Sequence, residues 1–537
     1  MTRALLPIST IARKLNLPES RYETLGTYGA KLKLDLLTDP AFPRRGKLIL
    51  VTATTPTVSG EGKTVTAIGL VQGMERIGKK AIVTSREPSL GPVFGMKGGA
   101  AGGGLSQVEP SQKINLHFHG DIHAMTSAHN LLAALTDAHL FHGNELDLDP
   151  DRITWPRSMD MNDRALRRIA IDIDGKRDGA NRRTGFVITA ASEIMAIMAL
   201  AKDRSDLRRR LASIVIGASR TGKPVRAADL QATGAMMALL EEALLPNLVQ
   251  TTEGAPALVH TGPFGNIAHG TSSIISQDMG LRLADYVVNE AGFAADLGAE
   301  KYMDIVTRVL GVSPSVALLV TTVQSMRNQG DGDLQKGFAN LAQHIRSLRH
   351  FGVPLVIAVN RFPHDSEADL AQLLAYCDRQ CVACEMTEPF TRGGEGSIDL
   401  ARTVVETIDA NVGAEITPAY ALSDSYAEKA SKVATRVYGA DGVEMSETAK
   451  EKLRQLVDWG FEGLPICIAK TQYSLSDNPK LLGAPEGWKL RITDVSLSAG
   501  AGFVVMIAGN MMLMPGLPKV PRAVEIDVNE AGEIVGV

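Results

Sequence analysis

Short apolar runs alternate with longer segments of mixed polarity over much of this chain. Leu48–Thr52 is a continuous apolar run, the stretch from Lys63 to about Ile77 carries helical spacing, and Ala81–Thr84 is apolar again. That rhythm predicts strand, helix, strand, and so a parallel α/β sheet whose ligands sit at the carboxyl ends of its strands. It gives way to a largely helical middle from about Ser127 to Ala295, with helices expected at Ala128–His139, Ile188–Ala201 and Leu230–Leu245. It resumes with a strand in Ser315–Val323, a helix near Leu334–Arg349, and the strand Pro354–Val359 ending at Asn360. Residues 1–46 read as a helix-and-loop lead-in, and the last third is mixed and richer in Gly and Pro.

The junction after the first strand carries the most chemistry. Thr55-Pro56-Thr57-Val58-Ser59-Gly60-Glu61-Gly62-Lys63-Thr64 is a glycine-containing turn that opens a helix. Such a turn aims backbone N–H groups and a helix N-terminus at an anion, while a lysine reaches terminal phosphates and a hydroxyl holds Mg²⁺. Residues 57–64 are therefore expected to bind ATP, with Thr64 on the metal; Thr57 stands where the usual pattern has its first Gly. The fold class expected is α/β: a P-loop NTPase-like parallel sheet with flanking helices, a mostly helical middle domain and a mixed C-terminal domain. The nucleotide domain would span 1–126 and be completed by 296–360, with 127–295 inserted and 361–537 forming the last domain.

Composition narrows the class. At 537 residues, 45% hydrophobic and 22% charged, the chain is of soluble globular type with room for about three domains. A net charge of −4 gives no reason to expect nucleic acid. No run is long enough to span a bilayer, no signal peptide is read, and four cysteines make no disulfide framework, so a reducing cytoplasm is expected.

Other constellations admit two readings each. Arg86 and Glu87, just past the second strand, would face the phosphates. The loop from Gly95 to Gly104 is either a flexible connection or a close backbone approach to an anion, helped by Lys97. His117 and His119 form a His-x-His pair near Asp121 and His123, with hydrogen-bonded cleft histidines as the plainer account. Cys377, Cys381 and Cys384 have the spacing of an iron–sulfur cluster loop, but Ala383 stands where an aromatic is usual; small apolar packing is favoured. Phe362-Pro363, after a strand end, and Phe390, on the loop Pro389–Gly396, could sandwich a flat heterocycle.

Taken together these segments resemble the formate–tetrahydrofolate ligase family. The resemblance runs over nearly the whole chain, through TPTVSGEGKT from Thr55, REPSLGPVFGMKGGAAGGG from Arg86, PNLVQTTEGAPALVHTGPFGNIAHG from Pro246, EAGFAADLGAEKYMDI from Glu290 and LPICIAKTQYSLSDNPKLLG from Leu464. It implies ATP-dependent joining of formate to tetrahydrofolate through formyl phosphate, giving 10-formyltetrahydrofolate, ADP and phosphate. Lys63 and Thr64 would serve ATP and Mg²⁺, and Arg86 would hold formyl phosphate. Phe362 and Pro363, opposite Met386 and Phe390, would form the folate pocket, covered by the C-terminal domain. K⁺ or NH₄⁺ and a homotetramer are also implied. The chain departs from the family pattern at Gln324, Arg327, Phe390, Arg392, Leu105 and His119. An arginine replaced by Gln324 removes a cation that Arg327 need not restore. The alternative is therefore a divergent paralogue that binds nucleotide or folate with altered substrate or weak ligase activity.

Overall fold

The computed structural model describes residues 4–58, 60–171, 181–509 and 511–536. Its centre is a sheet of twelve strands. Seven run parallel, in the order Pro256–Val259, Ala81–Ser85, Tyr286–Glu290, Lys47–Ala53, Val316–Thr321, Leu355–Asn360, Ala383–Thr387. The antiparallel strands Asn247–Thr251, Gly29–Leu32 and Tyr22–Leu25 extend one edge.

Strands covered on both faces need apolar residues at every position. Residues 48–51 and Ala53 meet this requirement, with exposed Lys47 at the entry and buried Thr52 the exceptions, and alternate residues serve two cores. Ile49, Val51 and Ala53 pack with Ala67, Leu70 and Val71 of the helix Lys63–Arg76 and with Leu400 and Val404 of Ile398–Ala410. Leu48 and Leu50 join the opposite core with Ile275, Met279, Leu319 and Ile357. This two-sided covering fixes the carboxyl ends of the parallel strands along one edge, where all the nucleotide candidates lie.

Two stretches differ from expectation. The lead-in holds the hairpin Tyr22–Leu25 with Gly29–Leu32, hidden in the sequence because Lys31 sits on a buried strand, paired with Asp121 at 2.6 Å. The stretch expected to be mostly helical, 127–295, does hold Asp121–Phe141, Glu193–Leu200 and Ile274–Leu283, but it also gives three strands to the central sheet. Two of these, Asn247–Thr251 and Pro256–Val259, form a hairpin whose apolar pattern is broken by buried Asn247 and Gln250. Those amides are satisfied internally, Asn247 by Asp121 and the Val259 carbonyl, Gln250 by both backbone groups of Leu6. A burial pattern carried by hydrogen-bonded amides leaves no apolar periodicity to read.

The last third adds a four-stranded sheet, Gly442–Met445, Lys489–Ser498, Phe503–Ala508 and Ile466–Ala469. Among the described residues no helix is long and apolar enough to cross a membrane.

Candidate functional site

The turn after Lys47–Ala53 is shaped by two glycines in the left-handed region, Gly60 at φ +81° and Gly62 at φ +72°, the second immediately before the helix. Any larger residue would be strained at both. Glu61 between them turns its carboxylate inward. It accepts from the Thr57 backbone N–H at 2.7 Å and from the Thr322 hydroxyl, so the loop closes without a first glycine. Val58 is 73% exposed. Ser59 lies outside the described residues.

The candidates at the carboxyl edge converge. Thr64, on the first turn of the helix, donates through Oγ1 to Glu290 Oε2 at 2.7 Å. Arg86 follows the strand Ala81–Ser85; its Nη1 donates to the Pro263 carbonyl at 3.1 Å and its Nη2 lies 3.6 Å from Glu290 Oε1. Lys97 is an exposed residue whose ammonium lies over the Phe293 ring, 5.2 Å from the centroid. Removal from water, then the charges of Arg86 and Lys63, pull Lys97 down to about 8. Lys63 is lowered by burial, opposed by Glu290 and reinforced by Arg86. Three cations thus face one carboxylate.

Behind Arg86 the backbone is packed too tightly for side chains. Gly292 N–H donates to the Gly270 carbonyl at 2.7 Å, and a Cβ on Gly265, Gly270 or Gly298 would strike main-chain atoms. Beside it Glu87 is buried, with Oε2 accepting from no described group; burial and the nearby Asp121 carboxylate hold it well above the usual carboxylate range.

The folate candidates lie on two loops leaving adjacent strands. Asn360 pairs with Thr387 and Val359 with Met386, so the segments carrying Phe362 and Phe390 issue from the same edge. Phe362 is half-buried, Pro363 exposed, Met386 36% exposed and Phe390 56% exposed. Phe390 also explains part of the glycine-dense loop. Its carbonyl accepts from Leu105 N–H at 2.9 Å, and a Cβ on Gly104 would collide with that carbonyl and with the ring. The glycines at 103 and 104 are therefore small because an aromatic loop presses on them, an account that neither reading of the sequence contained. Gly69 and Gly73 do the same work on the helix Lys63–Arg76, letting Pro389 and Ser397 pack directly against it.

The departures from the family pattern are spread out. Gln324 is exposed near the start of the helix Val323–Gln329, whose cap Thr322 is the residue that donates to Glu61. Arg327 pairs with Asp369 at 2.8 Å, and Arg392 pairs with Glu388 and Glu395. Leu105 is exposed, and His119 bonds Asn247 at 2.7 Å while stacking on Phe118. The cysteines do not surround a common point: Cys377 is buried against Cys384 and Cys381 is exposed. Among the described residues no group of three or more His, Cys, Asp or Glu is placed to hold a metal ion.

Glu290 is the site residue that sequence reasoning missed. Its signal was an acid closing an apolar run, Tyr286–Glu290, just before Ala291-Gly292. That signal needed the run to be recognised as a strand beside Lys47–Ala53.

Fold and candidate site together give an α/β protein with basic side chains gathered at the carboxyl edge of a largely parallel sheet. Comparison with known proteins makes the class a ligase. The family model described as formate–tetrahydrofolate ligase matches residues 1–537, and the chain belongs to that family. It is similar to the formate–tetrahydrofolate ligase of Symbiobacterium thermophilum, 50% identical over 547 residues that cover 99% of this chain and 97% of that one. The enzyme of the same name from Thermotoga maritima is 49% identical over 544 residues, 99% of each chain. That of Fervidobacterium nodosum is 50% identical over 540 residues, 98% and 97% of the two chains.

Proposed function

We propose that this chain joins formate to N10 of tetrahydrofolate with ATP, through formyl phosphate, on a P-loop NTPase-like nucleotide site. Formate is a poor electrophile because its carboxylate is resonance-stabilised. A formate oxygen attacks the γ-phosphorus, the bridging P–O bond breaks, and ADP leaves. The N10 amine then attacks the formyl carbon, the C–O bond to phosphate breaks, and the amine's proton is lost. The observation that carries this reading is the convergence of Lys63, Arg86 and Lys97 at one edge of the sheet, beside the Phe362 loop.

Lys63 and Arg86 neutralise the transferring oxygens, and phosphoryl transfer needs little beyond such positioning and charge. The turn 57–64 cradles the nucleotide. Phe362 and Pro363 face Met386 and Phe390 across the pterin, and holding the amine beside the acyl donor contributes on the order of 7 kcal/mol. Thr64 supplies a hydroxyl oxygen to Mg²⁺, which when bound offsets the charge of the terminal phosphates. The buried, unpartnered Glu87 oxygen near Asp121 is hard-oxygen chemistry that fits K⁺ or NH₄⁺. The nucleotide unit 1–126 with 296–360, the covering unit 361–537, a homotetramer and a cytoplasmic setting complete the reading, supported by the family resemblance.

Formate labelled with ¹⁸O tests it directly. One labelled oxygen should appear in the phosphate released, and phosphate free of label would overturn the route. Lys63→Ala should abolish ADP formation, whereas Arg86→Ala should spare ATP binding and block formyl transfer.

A further inference from the structure

We propose that Glu290 is the carboxylate that holds the nucleotide's Mg²⁺ beside Thr64, an inference that rests on the ATP reading of the turn. Its place follows from topology. The strand Tyr286–Glu290 lies parallel to Lys47–Ala53, with Glu290 in register with Val51, so its last residue sits near the carboxyl end from which the turn leaves. Its side chain does not project idly into the cleft. Oε2 accepts from Thr64 Oγ1 at 2.7 Å, and Oε1 faces Arg86 Nη2 at 3.6 Å.

The backbone fixes it there. The Glu290 carbonyl accepts from Thr271 Oγ1 at 2.9 Å, and the next residue, Ala291, donates to the Val51 carbonyl at 2.9 Å. The carboxylate is only 12% exposed and cannot turn away into bulk water without breaking both side-chain contacts.

An acid in that position is a problem for an anion site. Lys63, Arg86 and Lys97 collect negative charge, and a fixed carboxylate among them repels the same phosphates. The arrangement favours a phosphate only when a cation stands between acid and anion. Mg²⁺ takes oxygen ligands, commonly one or two carboxylates with substrate phosphates completing the shell. Glu290 Oε2 and Thr64 Oγ1, already in contact, are two such oxygens at one point. The hydrogen bond between them keeps the pair together until the ion arrives. A carboxylate that served only to orient Arg86 would not need the Thr64 hydroxyl on its other oxygen.

The rival roles give opposite signs in Glu290→Gln. ADP affinity is measured by calorimetry with and without Mg²⁺, on wild type and variant. If Glu290 holds the metal, the Mg²⁺ enhancement of ADP binding falls at least tenfold. Mg²⁺-free ADP binds as tightly as before or more tightly, since a repelling charge has gone. Enhancement that survives in the variant overturns the inference, and so does an equal weakening of both affinities, which marks a structural role. Wild type that binds ADP under neither condition removes the nucleotide reading itself. Should the variant fail to fold, crystals of wild type with Mn²⁺ and ADP decide by anomalous scattering. An ion at coordination distance from Glu290 supports the assignment, and an ion elsewhere ends it.

Discussion

Asn360 Nδ2 donates to the Glu61 carbonyl at 3.1 Å, which lays the end of one strand against the glycine turn before the helix Lys63–Arg76. The same amide occupies the space a Cβ on Gly62 would need. Asn360 also precedes the Arg361-Phe362-Pro363 loop, so the turn proposed for ATP and the loop proposed for folate share one contact. Gly62→Ala is therefore expected to hurt twice. The left-handed backbone at φ +72° costs about 1 kcal/mol for a non-glycine residue, and the methyl group displaces Asn360. ATP affinity should fall at least tenfold and the folate KM should rise with it, read by steady-state kinetics with each substrate varied. A loss confined to ATP would show that the two loops are not coupled through Asn360.

Lys97, pulled down to about 8, gives the cleft a pH signature. A bound phosphate favours the ammonium, so its pKa is higher in the complex than in the free protein. Below about pH 8 the lysine is already charged and affinity is level. Above it, binding must draw a proton from solvent, and affinity for inorganic phosphate should fall towards tenfold per pH unit. Stability changes in the opposite direction. The unfolded lysine holds its proton more tightly than the folded one, so folding is favoured as pH rises through the same window. Lost affinity there cannot be put down to unfolding. Lys97→Arg should flatten the profile, because guanidinium stays charged; a profile unchanged by that substitution would remove Lys97 from the anion contacts.

The strand–turn–helix over residues 47–76 and the rhythm around residues 47–84 and 315–360 were legible because apolar runs and glycine positions there express local geometry directly. Glu290 was not, since its role depends on which strand lies beside Lys47–Ala53, and order within a sheet leaves no mark on local spacing. The hairpin of Asn247–Thr251 and Pro256–Val259 was hidden for a different reason: Asn247 and Gln250 are buried by hydrogen bonding rather than by hydrophobicity. The glycines at 103 and 104 showed that bulk was excluded there, but not that Phe390 was what excluded it.

Phe390 offers a test of the folate pocket because the hydrogen bond that holds its loop is made by main chain, although its ring also rests on Gly103 and Gly104. The carbonyl that receives Leu105 N–H remains in Phe390→Ala, so the loop should keep its path. What goes is a ring 56% exposed, available for stacking. Lost stacking and contact area should raise the tetrahydrofolate KM about tenfold and leave kcat within about twofold, the pattern of a group that binds substrate and transition state alike. Phe390→Trp should restore the KM. An unchanged KM in the alanine variant would take Phe390 out of the pocket.

Lys470 and Asp296 form a fully buried ion pair at 2.6 Å, joining the segment after the strand Ile466–Ala469 to the turn Ala295–Ala299. Lys470 also donates to the carbonyls of Ser474 at 2.7 Å and Thr471 at 3.3 Å, so its three protons are all used. Burial lowers its pKa, and the Asp296 charge and hydrogen bond oppose the shift. Removing one partner leaves the other charge buried without compensation, which costs about 3–5 kcal/mol. Lys470→Met should therefore lower the denaturation midpoint sharply. The double variant Lys470→Met with Asp296→Leu should recover the part of that loss that comes from the uncompensated Asp296 charge, leaving the cost of the unpaired Ser474 and Thr471 carbonyls. Equilibrium denaturation of the wild type, both single variants and the double variant closes the cycle. A double variant no better than Lys470→Met would mean that the pair supports the fold through the Ser474 and Thr471 carbonyls rather than through its charge.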